Sequence, residues 1–198
     1  MTRTVTTPPP AAAARDRLLP VAITLFAQCG YNGISTREIA ASAGVSEITI
    51  YRHYPNKRDL YRAAIESELQ RLYLRGDMFT YIAESPDWRA ALARTYELIS
   101  TTISSRPELV RLIQFGVLEM HGDIEPLLRR YLGQLVEILA SYVEPWLVRG
   151  DLTERNPKAV VLAFASIVFS YPAVQTVFGS DTPRPDKLVE VYIANLQR

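Results

Sequence analysis

The sequence predicts an all-α protein of about nine helices, and two observations predict it. Near the N-terminus, two short segments with apolar residues three and four apart flank Gly44. Through the rest of the chain, apolar residues recur at that spacing behind repeated helix-start signals such as Ser85-Pro86-Asp87 and Asn156-Pro157.

Residues 1–14, with Pro8-Pro9-Pro10 and Ala11 to Ala14, form a biased segment expected to be a disordered tail. Arg3 within it reads either as a minor-groove contact or as part of a plain tail. The first helix is expected over 16–29, with Pro20 tolerated only in its first turn and Leu18, Val21, Ala22, Leu25 and Phe26 on one stripe. Ile39, Ala40 and Ala43 share a face of the next segment, and Val45, Ile50 and Tyr54 give the following one a matching face. Gly44 falls where a left-handed helix cap is commonly glycine, and Ser46 supplies an oxygen to cap the second short helix. Residues 57–75 continue as a helix with Leu60, Ala64, Leu69, Leu72 and Tyr73 on its buried side.

Ser85-Pro86-Asp87-Trp88 opens a helix to about Ser104, with Ser85 as its cap. Arg106-Pro107-Glu108 opens another, through Leu109, Leu112, Ile113, Phe115 and Val117, which stops near Gly122. A longer helix is expected over 125–149, bent or ended early by Pro145. The helix after Asn156-Pro157 carries Leu162, Phe164, Ile167, Val168, Phe169, Val174 and Val177 and is apolar nearly all round, so it needs cover on every side. Beyond the turn at Pro183 to Pro185, Leu188, Val189, Tyr192, Ile193 and Leu196 complete a last amphipathic helix.

With 198 residues and a 48% apolar fraction, the chain has ample material for a packed core. The net charge is only +1, but residues 1–60 hold seven Lys or Arg against four Asp or Glu, leaving −2 for the remainder. Basic surface is thus concentrated at the front, where affinity for a polyanion depends on it. A single cysteine, Cys29, allows no disulfide within the chain and fits a reducing cytoplasm. No apolar stretch is expected to approach the roughly 20 residues that span a bilayer, and the Thr/Pro/Ala start lacks a signal-peptide core. A soluble, cytoplasmic protein without a membrane partner is expected.

Once the apolar faces of the two short segments are buried, Glu47, Ile48, Thr49, Tyr51 in part, Arg52 and His53 are left outward. These side chains suit a major groove. Arg52 can donate two hydrogen bonds to guanine, Ile48 and Thr49 can touch a thymine methyl, and Glu47 can accept from cytosine. Tyr51, His53 and Lys57 suit phosphates, which fix register but carry little sequence information.

The run from Leu18 to Ala63, with Phe26, Gly30, Thr36-Arg37-Glu38-Ile39-Ala40, Gly44-Val45-Ser46, Ile50-Tyr51, Tyr54, Asn56-Lys57 and Leu60, resembles the DNA-binding domain of the TetR family of transcriptional regulators. That resemblance implies an N-terminal three-helix helix-turn-helix DNA-binding domain (15–62), followed by a helical-bundle domain for ligand binding and dimerisation (63–198). Carried over, the family's DNA-contacting positions fall on Thr36, Arg37, Glu47, Ile48, Thr49, Tyr51, Arg52, His53 and Lys57, with Ser46 beside them as the cap. Ile48 occupies a position that is often smaller or polar, and Arg52 one that varies widely. Such proteins are homodimers on palindromic double-stranded DNA, and repression released by a small-molecule effector is their usual behaviour.

An apolar-all-round helix late in the chain would leave a large bare patch on a monomer. Leu162, Phe164, Ile167, Val174 and Val177, with Leu188, Val189, Tyr192 and Leu196, are therefore candidates for a homodimer interface, the other reading being the subunit's own core. Aromatic and neighbouring residues of the second domain, Tyr73, Phe79, Tyr81, Trp88, Tyr96, Phe115, Met120, His121, Tyr142, Trp146, Phe169 and Tyr171, could line a pocket or simply fill a core. Few charges accompany them, which favours an apolar or aromatic effector. Pro172 frees the carbonyl of Val168 for a ligand or marks a kink, and His121 is either a ligand contact or an ordinary helix-end histidine.

Enzyme readings fare poorly. The sequence has no phosphate-cradling glycine loop and no nucleophile elbow, and its two histidines, His53 and His121, are too few and too far apart in sequence for a metal cluster. Neither a metal nor a cofactor is expected. The rival class is a helical ligand-binding or adaptor protein that keeps the fold without reading DNA.

Overall fold

A computed structural model describes residues 10–71, 78–149, 155–179 and 181–196. The regular structure of these residues is helical throughout: α1 (Pro10–Cys29), α2 (Thr36–Ser42), α3 (Glu47–His53), α4 (Lys57–Gln70), α5 (Met78–Ala83), α6 (Trp88–Ser104), α7 (Pro107–Glu119), α8 (His121–Arg149), α9 (Pro157–Phe178) and α10 (Pro185–Ala194). The count exceeds the expected nine because α5 was missed; six residues are too few to show a helical period. Two compact units result, one of Met1–Arg71 with Glu108–Leu127, the other of Leu72–Pro107 with Leu128–Arg198.

In the first unit α1 starts at Pro10, earlier than the expected Asp16. Alanine has the highest helix propensity and proline suits a first helical position, so Pro10 and Ala11 to Ala14 extend the helix rather than belong to a disordered tail. Residues 1–9, with Arg3, lie outside the described residues. Pro20 consequently sits well inside the helix instead of in its first turn. It is exposed, as is Asp16 four residues earlier, so the carbonyl deprived of its partner can be hydrated. Leu18, Ala22 and Phe26 form the buried stripe of α1, facing the buried Leu60, Tyr61, Ala64, Ile65 and Leu69 of α4. Tyr61, absent from the expected core of α4, is its largest member: it meets the Phe26 ring edge-on at 4.8 Å and donates to the backbone oxygen of Leu112 at 2.8 Å. Leu72 and Tyr73 lie outside the described residues.

The second unit is built on α6, α9 and α10, with α5 and the later part of α8. Asp87, not Ser85, caps α6, accepting from the Ala90 N–H at 2.8 Å. Ser85 is buried and takes a hydrogen bond from Arg94 instead. Helix α8 runs through Pro145 to Arg149 without ending early. Helix α9 buries Val160, Val161, Phe164 and Val168 on one side only, leaving Leu162 50%, Val177 74% and Phe178 73% exposed. Within one chain it therefore lacks the all-round cover its composition calls for. It also corrects the expectation that no stretch approaches a bilayer span: 22 residues with a mean hydropathy of 1.8 are long and apolar enough to cross one by length and composition. Lys158 is its sole charged residue, which is why the hydropathy is high.

Candidate nucleic-acid interface

Three capping devices fix α2, α3 and α4. Ser35 caps α2 by accepting from the Glu38 N–H at 3.2 Å, while the Glu38 carboxylate takes the Ser35 N–H at 2.8 Å and its hydroxyl at 2.6 Å. Those hydrogen bonds from Ser35 hold the Glu38 carboxyl below the usual glutamate range. After Ala43 the chain turns through Gly44 at φ +64°; the Gly44 N–H donates to Ala41 O at 3.2 Å and the Val45 N–H to Ala40 O at 3.0 Å, which closes the end of α2. Ser46 then caps α3 through the Thr49 N–H at 3.2 Å, and Asn56 caps α4 through the Asp59 N–H at 2.9 Å.

Ile50 is the fully buried anchor of α3, backed by buried Ile39, Ala40 and Tyr54. Opposite it, Ile48 is 74% exposed, and Arg52 and Tyr51 are exposed as well, while Glu47, Thr49 and His53 are half-buried. An isoleucine this bare on a seven-residue helix has no role in packing the chain.

Thr36, Glu47 and Tyr51 come together in one network. Thr36, only 8% exposed, donates to a Glu47 carboxylate oxygen at 2.6 Å and shares a hydrogen bond with the Tyr51 hydroxyl at 3.1 Å, and that hydroxyl lies 3.5 Å from the same oxygen. Thr36, expected to contact DNA, is therefore a buried tie between α2 and α3, and Glu47 and Tyr51 are partly committed to it. Ser46 and Thr49 are likewise joined, hydroxyl to hydroxyl at 2.8 Å. Arg37 is exposed at the start of α2. His53 buries its Nε2 with no protein partner, so Nε2 is closed to a phosphate. Lys57 stands with its ammonium 4.5 Å over the Tyr31 ring; burial pushes its pKa down, with the Glu119 and Glu38 carboxylates working the other way.

Arg15, outside the expected site residues, donates its Nε to the Tyr54 hydroxyl at 3.4 Å beside the end of α3. The Ala11 to Ala14 run was the available signal: read as helix, it places Arg15 on a rigid element.

The residues expected to line a pocket do not form one group. Phe115 and Met120 belong to the first unit, half-buried and buried respectively. In the second unit Trp88, Tyr96, Tyr142 and Trp146 pack against its hydrophobic core, and Tyr96 meets Phe164 edge-on at 6.2 Å. Burial pushes the Tyr96 phenol up, while a hydrogen bond with Ser100 lowers it. Phe169 and Tyr171 are half-buried, Tyr81 is exposed, and Tyr73 and the side chains of Phe79 and His121 lie outside the described residues. Of the residues expected at an interface, Phe164, Val189 and Leu196 are buried in the second unit's own core, where Phe164 also meets Tyr192 at 5.7 Å. They have almost no surface left for a partner. Ile167, Val174 and Tyr192 are half-buried, and Leu162, Val177 and Leu188 are exposed. No group of three or more His, Cys, Asp or Glu with metal-binding geometry occurs among the described residues.

Residues 18–64 match the family of bacterial regulatory proteins designated tetR. Among curated relatives, the chain is 26% identical over 155 residues to the uncharacterised HTH-type transcriptional regulator YvkB of Bacillus subtilis, covering 78% of this chain and 79% of the relative. It is 36% identical over 53 residues to the biofilm operon icaADBC negative transcriptional regulator IcaR of Staphylococcus epidermidis, which spans 27% of this chain and only 29% of IcaR. It is 34% identical over 80 residues to the transcriptional repressor KstR2 of Mycolicibacterium smegmatis, or 40% of this chain and 39% of that one. Among solved structures, a linker-substituted mutant of HlyIIR superimposes with a TM-score of 0.71 at 19% identity, covering 95% of this chain and 97% of that one. A tetR-family regulatory protein from Rhodococcus RHA1 does so with a TM-score of 0.69 at 23% identity, covering 96% and 98%. The helix-turn-helix built on Gly44 lies inside the matched segment, so residues 18–64 carry the DNA-binding domain of the TetR family of regulators, and the described residues share the all-helical fold of solved TetR-family proteins.

Proposed function

We propose that this protein is a DNA-binding transcriptional repressor that sits on a palindromic operator as a homodimer and is released by a small apolar or aromatic effector. The observation that carries the reading is the outward face of α3, where Ile48 and Arg52 project from a helix fixed at both ends and tied to α2 through Thr36. Arg52 reads guanine, Ile48 packs on a thymine methyl, and Ser46 with Thr49 stands at the start of the helix near the backbone. Arg37 and Lys57, and the Nδ1 side of His53, serve the phosphates. Glu47 and Tyr51 contribute at the edge of the Thr36 network. The DNA reader occupies 15–62 in sequence and the regulatory part 63–198.

A homodimer is supported by the bare side of α9, where Leu162, Val177 and Phe178 are exposed, together with Leu188 and Val191 of α10. Covering this face with a second copy supplies the burial that one chain lacks. A twofold pair reading a palindrome requires its two α3 helices about one helical turn of DNA (about 34 Å) apart or somewhat more. The effector part rests on the aromatic residues around the second unit's core and on their low charge. The expected site of action is the cytoplasm, and no enzymatic step is assigned.

Selection of bound sites from random duplexes by the intact chain tests the reading: a palindrome should emerge, and its affinity should fall steeply with salt. Enrichment of no sequence, with a flat salt response, would favour a helical ligand-binding protein that does not read DNA.

A further inference from the structure

Glu119 is the last residue of α7, in the first unit, and both oxygens of its carboxylate meet the turn between α1 and α2. Oε2 accepts the Asn32 backbone N–H at 2.7 Å. Oε1 lies where a side chain on Gly30 would stand, since a Cβ built there would come within 2.6 Å of it. Gly30 also has φ +76°, which favours glycine on its own account. The absence of a side chain at 30 therefore makes room for the carboxylate.

The same turn carries Tyr31. Its ring lies beneath the Lys57 ammonium and meets Tyr61 edge-on at 5.5 Å, and Tyr61 is anchored to α7 through Leu112. Glu119, with Glu38, favours the charged form of Lys57 against the burial that disfavours it. Carboxylate, backbone amide, aromatic face and ammonium thus form one connected set, three residues ahead of the Ser35 cap that starts α2.

We propose that Glu119 is a positioning residue for DNA binding: through the Asn32 amide it fixes the turn that carries Tyr31, the ring over which the Lys57 ammonium stands. It touches no phosphate itself, because a carboxylate there would repel one. The inference rests on the DNA-binding reading above and adds to it a residue of α7, far along the sequence from the helix-turn-helix.

The test compares the intact wild-type chain with Glu119→Gln and Glu119→Ala. Glutamine keeps an acceptor for Asn32 and drops the charge, whereas alanine drops both. The Asn32 amide should exchange slowly in the wild type and in Glu119→Gln and faster in Glu119→Ala. On a duplex selected with the wild type, Glu119→Ala should bind about three- to tenfold more weakly, the worth of one partly exposed hydrogen bond, and Glu119→Gln should recover to within about twofold. The Lys57 ammonium, followed by NMR, should titrate at lower pH in both variants, a change that a merely structural staple would not produce. An alanine variant that binds like the wild type, a glutamine variant that fails to rescue it, or a Lys57 titration identical in all three would overturn the proposal. If alanine prevents folding, Glu119→Leu, which keeps the bulk and drops the acceptor, takes its place in the binding and exchange measurements. A wild type that binds no selected duplex would overturn the DNA-binding reading and the role with it, whereas a binding wild type matched by Glu119→Ala overturns only the role.

Discussion

Replacing Thr36 with valine should destabilise the first unit by about 1–2 kcal/mol with little change in packing. Valine fills nearly the same volume at this 8% exposed site, so the cavity contribution is small and the loss is chiefly polar. Two hydrogen bonds disappear: the one at 2.6 Å to the Glu47 carboxylate and the one at 3.1 Å shared with the Tyr51 hydroxyl. A buried bond to a charged group contributes about 1.5–3 kcal/mol, but Glu47 is half-buried and Tyr51 exposed, so water recovers part of it. Urea unfolding followed by circular dichroism measures the loss, with the denaturant slope expected to stay constant. A double-mutant cycle with Glu47→Gln should show a coupling of about 1 kcal/mol. A Thr36→Val protein within about 0.3 kcal/mol of wild type, or a cycle whose coupling vanishes, would refute the view that this network ties α2 to α3.

Gly44→Ala should cost about 1–2 kcal/mol from backbone strain alone, because φ is +64° and nothing lies within 4 Å of the added methyl; an unchanged urea midpoint would contradict this. Ser35→Ala should lower the thermal midpoint at neutral pH, with the gap to wild type shrinking in acid. Glu38 has its folded pKa below the ordinary 4.5, so its contribution is present above that pH and is lost as pH falls through the lower folded value; a gap constant down to pH 2 would exclude it. Phe178→Glu, on the bare face of α9, should shift the chain toward monomer in sedimentation while leaving helicity intact, and an unaltered mass would place the interface elsewhere.

The helix-turn-helix was legible because its signals are local: Gly44 and Ser46 dictate the turn and cap whatever surrounds them, and Ile39, Ala40, Ala43 and Ile50 are buried as their spacing requires. The start of α1 was not legible because Pro8-Pro9-Pro10 dominates the composition of a stretch in which Pro10 and the alanines after it are helical. Sequence alone does not separate Ser85 from Asp87 as the cap, because both residue types cap well and only tertiary context, here Arg94, selects between them. Tertiary contacts also decided the site. Nothing in the spacing of Thr36, Glu47 and Tyr51 announces a shared network, and no local pattern links Glu119 to Asn32, 87 positions earlier. For the same reason Phe164, Val189 and Leu196 looked as available to a partner as Leu162 and Val177 did, until burial separated them.

The most direct measurement is the binding of Arg52→Ala and Lys57→Ala to a duplex selected with the wild type, each across a salt series and against single-base variants. If α3 reads bases, Arg52→Ala relaxes preference at one position per half-site by about 1–3 kcal/mol, whereas Lys57→Ala weakens all duplexes alike and flattens the logarithmic salt slope by about one per subunit. Wild-type discrimination and salt dependence in both variants would show that this face does not meet DNA.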